Sequence, residues 1–153
     1  MKTLLCSGLV RLMSEQELAE IAAIDARAYP QPWSEQIFRD CLKAKYHCFV
    51  FENEDGLLGY GVLSVVMDEA HILNLCILPE KQGQGLGREL INYMIGLSRE
   101  KKVETVFLEV RISNEIARHL YDRVGFNEVG IRKNYYPAKS GREDAMVLAM
   151  YLS

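Results

Sequence analysis

Hydrophobic positions along this chain switch between a period of about two residues and one of about three and a half, and the switches mark out strands and helices. Val10–Met13 predicts a short first strand. Ser14-Glu15-Gln16-Glu17 reads as a capping box, and Leu18, Ile21, Ala22 and Ala28 follow at helical spacing. Tyr29-Pro30-Gln31-Pro32-Trp33 breaks that helix, because proline disfavours helical geometry in the residue before it. Ser34 then caps a second helix running to about Leu42. Tyr46–Glu52 and Leu58–Met67 read as strands on either side of an Asn53-Glu54-Asp55-Gly56 turn, and His71–Leu78 as another closed by Pro79.

Leu90, Ile91, Met94 and Ile95 predict a helix to about Glu100, and Thr105–Val110 a strand of strong β formers. Asn114 caps a helix with Ile116, Ala117, Leu120, Tyr121 and Val124 on one face, and Gly125 fits its C-terminal stop. Strands near Glu128–Asn134 and Ala145–Leu152 finish the chain, joined through Tyr135-Tyr136-Pro137-Ala138-Lys139-Ser140-Gly141. The order β-α-α-β-β-β-α-β-α-β-β predicts an α/β fold, a central mixed sheet flanked by about four helices. Hairpins make the early strands antiparallel, and the step through the third helix is a right-handed parallel crossover. With 153 residues and no repeats or linkers, 1–153 reads as a single domain.

Composition narrows the function classes. A chain with 49% hydrophobic and 25% charged residues reads as an ordinary globular protein. Its net charge of −3 gives no support to nucleic-acid binding through a basic face, and mild acidity favours basic substrates if any. No segment approaches the roughly 18 uninterrupted apolar residues of a membrane helix. The Met1–Cys6 stretch is shorter than the ~7–15 residues of a signal h-region and reads as the mature N-terminus. Cys6, Cys41, Cys48 and Cys76 form no C-x-x-C pair and read as buried free thiols in a reducing cytoplasm. His47, His71 and His119 lack metal-ligand spacing, so no metal is expected.

The chemistry concentrates at Gln82-Gly83-Gln84-Gly85-Leu86-Gly87-Arg88, which follows an apolar run and opens a helix. A glycine turn at a helix start offers free N–H groups and the positive dipole end to a phosphate. Arg88 stands where a dinucleotide fingerprint needs its last glycine, and the Gly-Lys-Ser/Thr ending of a P-loop is missing. What remains, Gln82-x-x-Gly85-x-Gly87, resembles the pyrophosphate loop of the GCN5-related N-acetyltransferase family, whose donor is acetyl-coenzyme A (acetyl-CoA). The order of elements is similar to that family's over essentially the whole chain. Trp33-Ser34-Glu35, Asp68-Glu69-Ala70, Leu108-Glu109-Val110-Arg111, Ser113-Asn114, Leu120-Tyr121 and Gly125-Phe126 narrow the resemblance, as do Arg132-Lys133-Asn134-Tyr135-Tyr136-Pro137 and Gly141-Arg142-Glu143-Asp144-Ala145. They resemble its RimI branch, the bacterial ribosomal-protein alanine N-acetyltransferases. One departure stands out: the residue after Gln82 is often basic in the family, and here it is Gly83. Arg88 and Lys81 are the nearby cations left to replace it.

The resemblance implies a cytoplasmic enzyme acting on the N-terminal alanine of small ribosomal subunit protein eighteen, with no nucleic acid or membrane as direct partner. It implies that Gly83, Gln84, Gly85, Leu86, Gly87 and Arg88 hold the pyrophosphate and that Asn114, besides capping its helix, touches the coenzyme. The backbone of Leu75, Cys76 and Ile77 would pair with the pantetheine arm like an added strand, with one N–H serving the oxyanion. An α-amine with a pKa of about 7.7–8.0 must lose a proton before it attacks the thioester, and the departing thiolate should gain one. Glu109 is the candidate base, acting directly or through a water; an exposed strand carboxylate paired with Arg111 would occupy the same place. Tyr121 is the candidate acid, on an apolar stripe that equally suits a core tyrosine.

Cys76 invites an acyl-cysteine route, but the family transfers directly. Trp33, Tyr135 and Tyr136 are candidates for the acceptor groove or for plain loop packing, and Glu143 and Asp144 carry no assignment. The rival readings are an acetyltransferase of lysine side chains or small amines, and a catalytically silent coenzyme-binding module.

Overall fold

A computed structural model describes residues 2–152. The elements run β1 (Lys2–Leu4), β2 (Leu9–Leu12), α1 (Leu18–Ala28), α2 (Glu35–Lys43), β3 (His47–Asn53), β4 (Gly56–Val66) and β5 (Glu69–Ile77). They continue with α3 (Leu86–Glu100), β6 (Thr105–Arg111), α4 (Glu115–Val124), β7 (Asn127–Pro137) and β8 (Arg142–Tyr151). The strands form one mixed sheet in the order β1-β2-β3-β4-β5-β6-β8-β7. Among the described residues, only β5 and β6 pair in parallel, joined through α3 as the crossover pattern requires.

Two differences from the sequence reading concern chain segments. Strand β1 was not expected, since Lys2-Thr3-Leu4 is too short to show an alternation; its pairing with β2 from Lys2↔Arg11 to Leu4↔Leu9 creates it. Met1, which opens the N-terminal stretch, lies outside the described residues. Strand β7 runs on through Tyr135, Tyr136 and Pro137, where a connection was expected. A bulge carries it there, because Arg132 pairs with Ala145 and Tyr136 with Glu143. The Asp144 carboxylate accepts from Asn134 N at 2.8 Å, and Arg142 donates to the carbonyls of Asn134 and Tyr135 at 2.7 and 2.9 Å. The four cysteines are free, but Cys6 is exposed in the turn after β1, not buried like Cys41, Cys48 and Cys76.

Each face of the sheet has its own core. Helices α3 and α4 cover one, with Leu90, Met94 and Tyr121 packed on Ile72, Leu108 and Leu148. Helices α1 and α2 cover the other, with Leu18, Ile21 and Phe38 packed on Val50, Tyr60 and Cys76. Strand β5 gives Ile72 to the first core and Cys76 to the second, which strict alternation forbids for residues four apart. The register moves from Val62↔Asn74 to Leu63↔Ile72, leaving Leu73 without a partner on β4 and turning the strand over at that point.

The same region opens the sheet. The β5–β6 ladder runs from Glu69↔Thr105 to Ile72↔Leu108 and stops. Beyond it β5 stays with β4 to Ile77, while β6 stays with β8 through Glu109↔Val147 and Arg111↔Ala145. A wedge therefore separates Leu73–Ile77 from Glu109–Arg111. Val106, Leu108 and Val110 of β6 face the α3/α4 core, so Phe107, Glu109 and Arg111 face the other way. Among the described residues, the α1/α2 core takes none from β6, β7 or β8.

Candidate active site

One side of the wedge ends in the glycine loop. Gln82 Nε2 donates to the Ile77 carbonyl at 3.2 Å and ties the loop to the end of β5. Gly83 and Gly85 take φ values of 82° and 81°, the left-handed region that disfavours a side chain. That conformation accounts for glycine where the family often has a basic residue. Gly85 caps α3 with no side-chain acceptor, so the first-turn N–H groups stay free for a ligand beside the exposed residues 82–85. Leu86 is buried and anchors the helix start, while Arg88 is exposed one turn in. A Cβ on Gly87 would lie 3.3 Å from Leu120 Cδ2, so the glycine lets α3 and α4 approach closely.

The β5 edge follows. The Tyr29 hydroxyl donates to the Leu75 carbonyl, and burial raises that phenol well above its usual pKa, helped by neighbouring Cys76 and Tyr121. The Cys76 thiol is pushed up to about 11 by burial, which keeps it protonated and removes the main attraction of an acyl-cysteine route. Free strand edge and uncapped helix start together suit the pantetheine and pyrophosphate of a coenzyme.

Across the wedge, the Glu109 side chain is 17% exposed and meets Arg132 Nε at 3.3 Å. Arg111, the partner suggested by the shared strand face, pairs instead with Glu143 at 3.1 Å and donates to the Pro137 carbonyl at 2.9 Å. The Arg111 guanidinium also sits 4.5 Å over the Tyr136 ring. The Tyr136 phenol is pushed up to about 12 by burial and next by the charge of Glu109.

Tyr121 comes from α4, buried edge-on against Phe126 at 5.9 Å. Burial, and then Tyr136, raise its phenol well above the usual range. Among the described residues the Tyr121 hydroxyl makes no hydrogen bond, and its oxygen is not fully enclosed. Tyr29 is affected by Cys76 and Tyr121, Tyr121 by Tyr136, and Tyr136 by Glu109, which links the groups across the wedge.

The remaining candidates are less central. Asn114 accepts from Ala117 N at 3.2 Å and caps α4. Trp33 is half-buried on Phe38 at 5.2 Å, and Tyr135 is 44% exposed beneath Arg132. Three residues escaped the sequence reading. Asp25 is buried and accepts from Tyr60, Asn74 and Trp33 N; its signal was a carboxylate at i+7 from Leu18 on the apolar stripe of α1. Tyr29 sits one turn further along, hidden by the prolines after it. Arg132 gave no signal, because its contact with Glu109 crosses two strands.

A parallel strand pair that opens beside an uncapped, glycine-led helix is the layout of an acyl-CoA-dependent acyltransferase. The profile of the Acetyltransferase (GNAT) family matches residues 16–126, and the chain belongs to that family. It is an acetyltransferase with acetyl-CoA as donor. The chain is 41% identical to the ribosomal protein bS18-alanine N-acetyltransferase of Escherichia coli (strain K12), over 85% of this chain and 88% of that protein. It is 43% identical to the protein of that name from Haemophilus influenzae, over 84% and 88%. The crystal structure of the Escherichia coli ribosomal-protein-S18-alanine N-acetyltransferase matches with a TM-score of 0.87 at 37% identity, covering 100% of this chain and 95% of that one.

Proposed function

We propose that this protein transfers acetyl from acetyl-CoA to the α-amine of an N-terminal alanine on ribosomal protein bS18, in the cytoplasm. The acceptor follows from the relatives' names, and one geometric observation supports the chemistry. Glu109 lies on the sheet face turned away from the α3/α4 core, directly across the wedge from the free edge of β5. The free edge and the glycine loop hold the donor's pantetheine and pyrophosphate, and a chain terminus reaches the thioester from the Glu109 side.

The acceptor nitrogen gives its proton to Glu109, directly or through one water, and its lone pair attacks the acetyl carbonyl carbon. The C–N bond forms, the C–S bond breaks, Tyr121 gives its proton to the sulfur, and the second proton leaving the new amide nitrogen restores the Tyr121 phenol. The raised Tyr121 phenol keeps that proton throughout the neutral range, and no partner among the described residues holds its hydroxyl. Transfer is direct, in a ternary complex.

Mass-resolved acetylation tests the acceptor. A peptide with a free N-terminal alanine is compared with an N-terminally blocked peptide containing lysine. Acetyl on the free terminus alone is the expected result. Acetyl on the blocked peptide would assign the enzyme to lysine side chains, and none on either would point to a small amine or a silent module. Glu109→Gln and Tyr121→Phe should each lower kcat by about 10²–10⁴-fold with the KM for acetyl-CoA little changed. Unchanged kcat in either variant removes that residue from the mechanism.

A further inference from the structure

The candidate base already has a cation beside it. Arg132 Nε approaches Glu109 Oε1 at 3.3 Å, and the two side chains differ in setting: Glu109 is 17% exposed and Arg132 is 54% exposed. The carboxylate is enclosed at the wedge, whereas the guanidinium reaches it from outside, backed by solvent. We infer that Arg132 is a positioning residue that occupies the acceptor's place at Glu109 in the free enzyme, and that the incoming α-ammonium displaces it. The inference rests on the reading of Glu109 as the acceptor-facing base.

Neighbouring charges support the exchange. Arg111, the other arginine at the site, is committed to Glu143, the Pro137 carbonyl and the Tyr136 ring, and is itself 17% exposed. Its charge is balanced locally, so Arg132 is the cation that Glu109 offsets. The phenols facing this region, Tyr136 on β7 and Tyr121 on α4, keep their protons at neutral pH. His71 on β5 stacks against Phe107, one alternation back along the same strand face. An arriving ammonium therefore replaces one cation by another, and the local charge count is unchanged.

Arg132 also has somewhere to go. It sits at the start of the β7 bulge, with its guanidinium 5.5 Å over the Tyr135 ring, so leaving Glu109 does not strand it. The contact it gives up is an ion pair at 3.3 Å, longer than the 2.7–2.9 Å of a strong charge-assisted hydrogen bond. An acetylated terminus carries no charge to compete with Arg132 for Glu109, so Arg132 can return before the product leaves.

The test compares binding of two peptides in the presence of coenzyme A, which cannot react. One carries a free N-terminal alanine and the other is its N-acetylated form. Arg132→Gln should tighten the free-amine peptide by about two- to fivefold, the range for a partly exposed ion pair, and leave the acetylated peptide unchanged. Arg132→Lys, which restores the competing charge, should bind both peptides as the parent does. Parallel weakening of both peptides by Arg132→Gln would mean a structural role, and unchanged free-amine binding would mean no competition; either overturns the inference. Glu109→Gln separates the two levels. Full activity in that variant sinks the base itself, whereas lost activity with no peptide discrimination by Arg132→Gln sinks only the exchange.

Discussion

Asp25 is the buried carboxylate through which α1 holds the acceptor side of the sheet, and replacing it by alanine tests that network. The side chain is 1% exposed. Its Oδ1 accepts from the Tyr60 hydroxyl at 2.7 Å and Asn74 Nδ2 at 3.1 Å, and its Oδ2 accepts from Trp33 N at 2.8 Å. Tyr60 is fully buried, so alanine leaves its hydroxyl with neither protein nor water. Each orphaned donor costs about 1–3 kcal/mol, and recovering the solvation of the carboxylate offsets part of the sum, leaving about 3–5 kcal/mol. Asparagine keeps an oxygen for Tyr60 and Asn74 but turns an N–H toward Trp33 N, so about 1–3 kcal/mol is expected. Urea unfolding reads both as a lower midpoint at constant slope; at a slope of about 2 kcal/mol/M, the alanine variant should lose roughly 1.5–2.5 M. Because Trp33 N is one of the lost donors, the KM for the acceptor peptide should rise while that for acetyl-CoA holds. A loss below about 1 kcal/mol for Asp25→Ala would falsify the claim that this network organises the site, since that is no more than a surface contact contributes.

Three further outcomes are expected. Gly83→Ala meets nothing within 4 Å of its new Cβ but keeps a φ of 82°, so it should cost about 1–2 kcal/mol by strain alone and raise the KM for acetyl-CoA; an unchanged melting curve would contradict this. Glu143 is held below the usual carboxylate range by donation from Ser113 and then by Arg111, so its folded-state pKa lies under its unfolded one. Its contribution is complete above the ordinary glutamate range and is lost as pH falls through the depressed value, so the stability gap between parent and Glu143→Gln should close in acid. A gap that is constant with pH would refute it. With the Cys76 thiol at about 11, about one molecule in a thousand is thiolate at pH 8, so a thiol reagent should label exposed Cys6 in the folded protein and leave Cys76 until unfolding.

How much of this was legible beforehand divides along physical lines. Local signals carried the fold: the capping box before α1, Ser34 before α2, and the alternation in β6 all lie where the sequence reading put them. The glycine turn announced a helix start able to take phosphate, and Glu109 and Tyr121 stood out once the family pattern was seen. What stayed hidden was decided by partners distant in sequence. Lys2–Leu4 is a strand because β2 accepts it, and Tyr135-Tyr136 joins a strand because Asp144 and Arg142 bridge a bulge. The pairing of Glu109 with Arg132 instead of Arg111 depends on the order β6-β8-β7, which no local pattern encodes.

The unpaired Leu73 has a consequence for how this gene can change length. A strand that turns over at one residue behaves like text with a fixed frame on either side of a single extra letter. Removing Leu73 places Asn74 directly after Ile72, which restores strict alternation and keeps Asn74 and Cys76 on the α1/α2 side and Leu75 and Ile77 on the α3/α4 side. The bond from Asn74 to Asp25 and the packing of Cys76 beneath α1 keep their facing. A one-residue deletion between Asn74 and Ile77, by contrast, sends the residues that follow it to the opposite face. Tolerance to deletion should therefore be sharply uneven along β5, with Leu73 a tolerant point in the middle of the sheet.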